Sequence, residues 1–164
     1  MTGLLNMSTN RPDRQAILQR ATEVIDIEIE GLKALRDGLG APYVELVERC
    51  LCTLRDGGKL VLCGVGKSGH ISKKIAATLS STGSQAVFLH PVEAMHGDLG
   101  MVSSHDLLLA VSYSGETDEL LAMLPAMKRL GISIAAITGK ADSRLGEVAD
   151  LVVPMPVPRE ACPF

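Results

Sequence analysis

The segment KLVLCGVGKSG, residues 59–69, carries the pattern that most clearly indicates the fold class. A short apolar run, residues 60–63, is followed by three closely spaced glycines at positions 64, 66 and 69, and then by a helical pattern. An apolar strand that ends in a glycine-rich turn and opens a helix is typical of a parallel βα unit. The turn places free N–H groups at the helix N-terminus and is therefore a predicted anion site.

Two nucleotide-binding motifs overlap in this segment. The Walker A loop requires a first glycine that falls here on Val61, inside the apolar run, so the spacing excludes it. The three glycines do match the dinucleotide pattern G-x-G-x-x-G, which needs an Asp or Glu at the end of the next strand. That strand, AVFLHP, ends in His90 and Pro91 instead, so the dinucleotide interpretation is weakly supported.

Composition limits the classes of function. The 164 residues suit one domain, and a net charge of −3 gives no electrostatic case for nucleic acid or an anionic membrane as partner. The first residues lack the layout of a signal peptide, and no apolar run is long enough to cross a bilayer. The cysteines form neither a disulfide framework nor a C-x-x-C pair, which predicts a reducing, cytoplasmic location: Cys50, Cys52, Cys63 and Cys162.

Helical spacing dominates the first third of the chain. Apolar residues recur at helical intervals over residues 13–37, and Gly38 and Gly40 end that pattern. Pro42 opens a second helix that is predicted to run to about Leu54.

We expect residues 1–45 to form an N-terminal helical extension that packs on the core or on another subunit, and residues 46–164 to form the main domain. The predicted first helix concentrates apolar side chains at Val24, Ile25, Ile27 and Ile29, although Asp26 and Glu28 stand between them. We therefore expect it to lie at an oligomer interface.

Five short apolar runs alternate with helical stretches after residue 58. Strands that are apolar along their whole length are buried on both faces, which is typical of parallel sheets. The pattern predicts a three-layer, doubly wound α/β fold, in which ligands collect at the carboxyl ends of the strands. The five predicted strands occupy residues 59–64, 86–90, 107–112, 132–138 and 150–157.

The third strand leads into SYSGETDEL, residues 112–120. Ser112, Ser114 and Thr117 surround Gly115 at a predicted helix N-terminus, where N–H groups, the helix dipole and hydroxyl donors favour an anion. The alternative is a cap, with Ser114 capping the helix and Thr117 starting it. Aromatic residues, which a nucleotide base would need for stacking, make up only 2% of the chain. A small phosphate monoester is therefore the favoured ligand.

Five segments resemble, in order and spacing, the sugar isomerase (SIS) domain, and within that superfamily the D-arabinose 5-phosphate isomerases. They are GVGKSGHISKKIAATLSSTG, HPVEAMHGDLGMV, SYSGETDEL, ITGKADS and REACP. The resemblance implies that residues 46–164 are a phosphosugar-binding SIS domain with a flavodoxin-like, five-stranded parallel sheet and a tetrameric assembly. It also implies interconversion of D-ribulose 5-phosphate and D-arabinose 5-phosphate, which feeds the sugar acid Kdo of bacterial lipopolysaccharide.

The resemblance assigns roles to individual residues. The phosphate-binding hydroxyls are those of Ser68, Ser112, Ser114 and Thr117. The candidate catalytic residues are Lys67, His96, Glu119 and Glu160. An aldose–ketose isomerisation needs a base, a group that stabilises or shuttles charge between two oxygens, and a grip on the phosphate, but no cofactor and no metal.

The residue types alone leave alternatives open. Glu119 could be a solvated charge that interacts favourably with the helix dipole. Glu160 could pair with Arg159. Lys67 could stabilise an oxyanion, bind the phosphate or remain solvated. The three histidines at predicted strand ends suggest a metal site, although their spacing matches no standard ligand motif, and inhibitory metal capture would use the same residues: His70, His90 and His96.

The resemblance also implies a longer protein. Family members continue past the EACP segment with a further helix, a histidine thought to act in catalysis and, in many, two CBS domains, so we expect this chain to be incomplete. A non-catalytic phosphosugar sensor and another isomerase, such as a 6-phospho-3-hexuloisomerase, are the alternative functions.

Overall fold

The computed structural model describes residues 13–161. Residues 1–12 and 162–164, and with them Cys162, lie outside the described residues. The chain divides into two compact units: one contains Gly38–Pro156, and the other combines Met1–Asp37 with Val157–Phe164.

The smaller unit contains helix α1, Arg14–Asp37, so the helix predicted for residues 13–37 is confirmed. Ile27 is buried on this helix, whereas Ile25 and Ile29 are exposed. No helix within residues 13–161 is both long enough and apolar enough to span a bilayer. Arg159 forms an ion pair with Glu30 at 3.2 Å, rather than with its neighbour Glu160.

The larger unit alternates helices with strands after an initial helix. The helices are α2 Ala41–Arg55, α3 Gly66–Ser81, α4 Pro91–Met95, α5 Asp118–Arg129 and α6 Arg144–Val148, with a 3₁₀ turn at Asp98–Met101. The strands are β1 Leu60–Cys63, β2 Ala86–Phe88, β3 Leu107–Val111, β4 Ser133–Thr138 and β5 Leu151–Pro154.

All five strands are parallel, in the order β2-β1-β3-β4-β5. This order is that of the flavodoxin-like doubly wound fold, and it confirms the predicted sheet. After β1 the chain moves to one side to form β2 and then crosses to the other side for β3. The order therefore reverses between β1 and β3, which is the place where such sheets bind ligands.

The continuous apolar runs are explained by two cores, one on each face of the sheet. Successive side chains of a strand point to opposite faces. Val61 and Leu108 pack into the cluster that includes the buried residues of α5, whereas Leu60 and Leu107 pack into the cluster that includes residues of α2 and α3. Cys63 lies in the first of these cores, and burial raises the pKa of its thiol to about 12.

The amino ends of the strands are held by two carboxylates. Asp106 is buried and accepts hydrogen bonds from Lys59 Nζ at 2.6 Å and from the Lys59 and Ser103 N–H groups at 2.9 and 2.7 Å. Burial opposes ionisation, but these hydrogen bonds outweigh it and lower the pKa of Asp106. Asp150 pairs in the same way with Lys128 and accepts from the Ile134 N–H at 2.7 Å.

Candidate functional site

The candidate site lies at the carboxyl ends of β1 and β3. The two strands are direct neighbours, with Cys63 opposite Ala110, so the loops that follow them leave the sheet side by side. A Cβ atom on Gly64 would lie 3.0 Å from the Val111 carbonyl oxygen, which shows how closely the first loop approaches the end of β3. Both loops lead directly into helices, α3 and α5.

The first loop needs glycine for two different reasons. Gly66 has φ +57°, a backbone conformation that other residues rarely adopt. A Cβ atom on Gly69 would lie 2.7 Å from the Gly64 carbonyl oxygen, so only glycine permits this packing of α3 against the turn. The N-cap of α3 is Val65, whose side chain cannot cap, and the N–H groups of the first turn remain available to an anion.

The second loop brings its hydroxyls together. Ser112 Oγ lies 2.9 Å from Thr117 Oγ1 and also accepts a hydrogen bond from the Gly115 N–H at 3.1 Å. Ser114 Oγ accepts from the Glu116 N–H at 3.2 Å. The N-cap of α5 is Thr117, and it makes no side-chain cap hydrogen bond. The alternative in which Ser114 caps this helix is therefore wrong, because its hydroxyl closes a turn inside the loop instead.

Gly115 seats the second loop on the segment that joins β4 to α6. Its φ is +67°, and a Cβ atom there would lie 1.9 Å from Ser143 Oγ. Ser143 is buried and donates to the Lys140 carbonyl at 2.7 Å, so it cannot move aside freely. The Leu145 N–H donates to the Gly115 carbonyl at 3.0 Å and fixes the loop from the same side.

A second connection between these segments is ionic. Glu116 accepts from the Arg144 N–H at 2.9 Å and from Arg144 Nε at 2.7 Å, and Arg144 Nη2 donates to Asp118 Oδ1 at 2.8 Å. The hydrogen bonds from Arg144 lower the pKa of Glu116, and the hydrogen bonds to Glu116 and Asp118 raise the pKa of Arg144. This cluster was not predicted from the sequence, because 28 residues separate Arg144 from Glu116.

Two predicted catalytic residues lie in the first turns of the helices that follow these loops. Lys67 is the second residue of α3, and Glu119 is the second residue of α5. Both are exposed, and neither side chain makes a hydrogen bond or ion pair with any residue that the structure describes. Ser68, the remaining predicted phosphate ligand, is half-buried beside Lys67. The side chain of Glu119 is therefore unpaired within the described part of the chain.

The histidines have separate surroundings. His90 is the N-cap of α4, where its Nδ1 accepts from the Val92 N–H at 3.3 Å, and its ring meets Phe88 edge-on at 6.3 Å between centroids. His96 is the C-cap of α4 and is exposed, as is His70 on α3. Over residues 13–161, no group of three or more His, Cys, Asp or Glu side chains could hold a metal ion.

Glu160, the fourth predicted catalytic residue, belongs to the smaller unit and is exposed. The loops and helix starts described above all belong to the larger unit. The larger unit thus brings together the four predicted phosphate ligands, Lys67 and Glu119 at one edge of its sheet.

Comparison with known proteins identifies relatives that match most of this chain. KdsD of Salmonella typhi, an arabinose 5-phosphate isomerase, is 44% identical over 147 residues, which are 89% of this chain and 44% of KdsD. GutQ of Escherichia coli K12, also an arabinose 5-phosphate isomerase, is 44% identical over 150 residues, which are 92% of this chain and 46% of GutQ. This chain thus spans less than half the length of these relatives.

The similarity extends to solved structures and to a family model. The structure of c3406 from E. coli CFT073 in complex with arabinose 5-phosphate matches with a TM-score of 0.87 and 36% identity, over 93% of this chain and 79% of that chain. The model of the SIS domain matches residues 53–163. These findings confirm the resemblance on which the expectations were based, and the chain belongs to the SIS domain family.

Proposed function

We propose that this chain forms the phosphosugar-binding and isomerase domain of an enzyme that interconverts D-ribulose 5-phosphate and D-arabinose 5-phosphate. One observation carries the proposal: two uncapped helix N-termini, supplied with the hydroxyls of Ser112, Ser114 and Thr117, lie side by side where the strand order reverses. Such an arrangement suits a small phosphate monoester, because backbone N–H groups, helix dipoles and hydroxyl donors all act on one anion.

The choice of sugar rests on the relatives. KdsD and GutQ are both named arabinose 5-phosphate isomerases, and c3406 is in complex with that sugar phosphate. A pentose phosphate also suits the site, because the site offers hydroxyls, a lysine and a carboxylate.

The reaction follows from the groups at the site. The phosphate is held at the two helix starts by Ser68 and by the SYSGET loop, residues 112–117, and the carbon chain extends from it along the crevice. Glu119 removes the proton from C2 of the aldose while the C1 oxygen gains one, which forms the enediol. A proton is then returned to C1 as the C2 hydroxyl loses its own, which gives the ketose. Lys67 stabilises the negative charge that develops on the C1 and C2 oxygens of the sugar during these transfers.

Further elements of the proposal concern the rest of the machinery. His96 carries the remaining proton transfers between the oxygens, and a catalytic role of Glu160 stays a prediction. Isomerisation of this type needs neither a cofactor nor a metal, and the product feeds Kdo and lipopolysaccharide synthesis in the cytoplasm. The domain boundary between residues 45 and 46 stays a prediction, and both residues lie within α2.

The enzyme is proposed to be a homotetramer. Apolar side chains recur on the exposed side of α2 at helical spacing: Val44, Val47 and Leu51 are 56%, 41% and 55% exposed. On α1, Ile25 and Ile29 are 55% and 41% exposed. Exposed apolar side chains at helical spacing favour contact with another subunit.

Proton exchange in heavy water tests the function. The chain is incubated with D-arabinose 5-phosphate, D-ribulose 5-phosphate or a hexulose 6-phosphate, and deuterium at C1 and C2 is followed by NMR. We expect deuterium incorporation with conversion between the two pentose phosphates. Binding without exchange would favour a phosphosugar-binding module, and turnover of the hexulose phosphate alone would favour the hexuloisomerase.

A further inference from the structure

Three carboxylates crowd the proposed phosphate site. Glu116, Asp118 and Glu119 fall within four residues, in the loop after β3 and the first turn of α5. The helix dipole stabilises acidic residues at a helix N-terminus, but these residues also repel a bound anion. A phosphate dianion at this helix start therefore meets up to three negative charges, and binding requires that some of them be neutralised or held away.

Arg144 supplies the opposite charge to two of the three. Its Nε lies 2.7 Å from Glu116 Oε2, and its Nη2 lies 2.8 Å from Asp118 Oδ1. Glu119 has no ion pair among residues 13–161. The guanidinium thus pairs with Glu116 and Asp118 and leaves Glu119, the proposed base, without an ion pair.

The strand order of the sheet indicates on which side Arg144 holds Glu116 and Asp118. Arg144 begins α6, which follows β4, and β4 lies on the side of β3 opposite to β1. The ligand crevice lies on the other side, between β1 and β3. Arg144 therefore holds Glu116 and Asp118 on the β4 side, away from the crevice.

The guanidinium is not required to hold the loop in place. The backbone N–H of Arg144 donates to Glu116 Oε1 at 2.9 Å, and the N–H of Leu145 donates to the Gly115 carbonyl at 3.0 Å. Both hydrogen bonds persist with any side chain at position 144 except proline. Truncation of Arg144 consequently removes a positive charge and leaves the main attachment of the loop intact.

We propose that Arg144 is an electrostatic positioning residue of the phosphate site: it neutralises Glu116 and Asp118 so that the N-terminus of α5 accepts a phosphate dianion while Glu119 stays unpaired. The proposal rests on the proposed function. It assigns to Arg144 an effect on affinity that arises from charge, that weakens with salt and that disappears once the two carboxylates are themselves neutral.

The test is calorimetric titration of the full chain with D-arabinose 5-phosphate at about 20 mM and about 500 mM salt, between which screening rises steeply. The variants are R144A, the triple variant R144A/E116Q/D118N, and K128A. Lys128 is the control, because it is an ion-paired cation near the other end of α5. It pairs with Asp150, whereas Arg144 pairs with two carboxylates. We expect R144A to bind about fivefold more weakly than the original chain at low salt, the effect of one charge on a dianion at roughly 8 Å in water.

The remaining variants separate charge from structure. We expect the triple variant to recover the affinity of the original chain, although it lacks the guanidinium, and we expect K128A to stay within about twofold because screening weakens distant charges. An R144A affinity equal to that of the original chain, or a loss that the triple variant does not recover, overturns the role of Arg144. Absence of binding by the original chain instead overturns the proposed function.

Discussion

Ser112 Oγ and Thr117 Oγ1 lie 2.9 Å apart, although four residues stand between them in the chain. The approach depends on Gly115, whose φ of +67° reverses the backbone so that the end of β3 and the start of α5 face each other. The same hydroxyl of Ser112 accepts the Gly115 N–H at 3.1 Å, so the turn and the hydroxyl pair form together. The geometry of this loop is therefore the basis of the proposed phosphate site.

Gly115→Ala is expected to destabilise the protein more than the same change at another glycine with positive φ. The Cβ atom would meet Ser143 Oγ at 1.9 Å, in addition to the backbone strain of about 1–2 kcal/mol. Gly57→Ala is the matched control, because Gly57 has φ +81° with no atom within 4 Å of its added Cβ. We expect the free energy of unfolding, measured in urea, to fall by at least about 1 kcal/mol more for Gly115→Ala. Equal losses would contradict the packing described here.

Thr117→Val is expected to weaken phosphosugar binding while the fold is retained. The change removes one hydroxyl and keeps the branched shape, and a hydrogen bond to a charged group contributes about 1.5–3 kcal/mol, or roughly 10- to 100-fold in affinity. Titration with D-arabinose 5-phosphate measures the effect. Ser104→Ala, an exposed residue before β3, is the control and is expected to bind as the original chain does. A Thr117→Val affinity that matches this control would remove the hydroxyl from the site.

Glu119→Gln is expected to slow proton exchange about 10²–10⁴-fold without loss of binding. The amide keeps the size of the side chain but cannot act as a base, and general base catalysis contributes about 10²–10⁴-fold to rate. Deuterium incorporation into the pentose phosphate measures the rate, and calorimetry measures the affinity. Glu147→Gln on α6, also exposed, is the matched control. Exchange that is undiminished in Glu119→Gln would exclude this residue as the base.

The five strands could be predicted because their sequences are mainly apolar. The central strands β1, β3 and β4 are mostly buried, and the edge strands β2 and β5 are partly buried. The two glycine loops could be predicted because turns with positive φ and close backbone contacts leave little choice of residue. Positions such as Gly66 and Gly115 therefore carried a signal that needs no knowledge of the rest of the structure.

The contacts that complete the site could not be predicted in this way. Ser143 and Arg144 reach the SYSGET loop only because β4 pairs with β3 in a particular register, with Ala110 opposite Ala136. No local pattern encodes that proximity. His90 shows the converse, since a histidine considered from its sequence position as a metal ligand serves as the N-cap of α4.

Asp106→Asn is expected to destabilise the protein at neutral pH and progressively less at acid pH. The pKa of Asp106 is lower in the folded than in the unfolded state, so its contribution is complete above the unfolded value of about 3.9 and is lost as the pH falls through the folded value. We expect a loss of about 1–3 kcal/mol at pH 7 that shrinks below about pH 4. Denaturant unfolding across this range measures it, with the exposed Asp142→Asn as control. A loss of the same size at pH 7 and pH 3 would contradict the assignment.

The location of the phosphosugar at the carboxyl ends of β1 and β3 underlies every functional proposal made above. The alternative location for the ligand is a cavity of about 340 Å³ at the opposite edge of the sheet. Its lining residues include Arg49, Ser104 and His105. Titration of the ¹⁵N-labelled chain with D-arabinose 5-phosphate, followed by amide chemical shifts, distinguishes the two edges residue by residue. We expect the largest shifts at residues 66–68 and 114–117. Shifts confined to residues around the cavity, with both glycine loops unchanged, would place the ligand at the amino ends of the strands and overturn the proposed site.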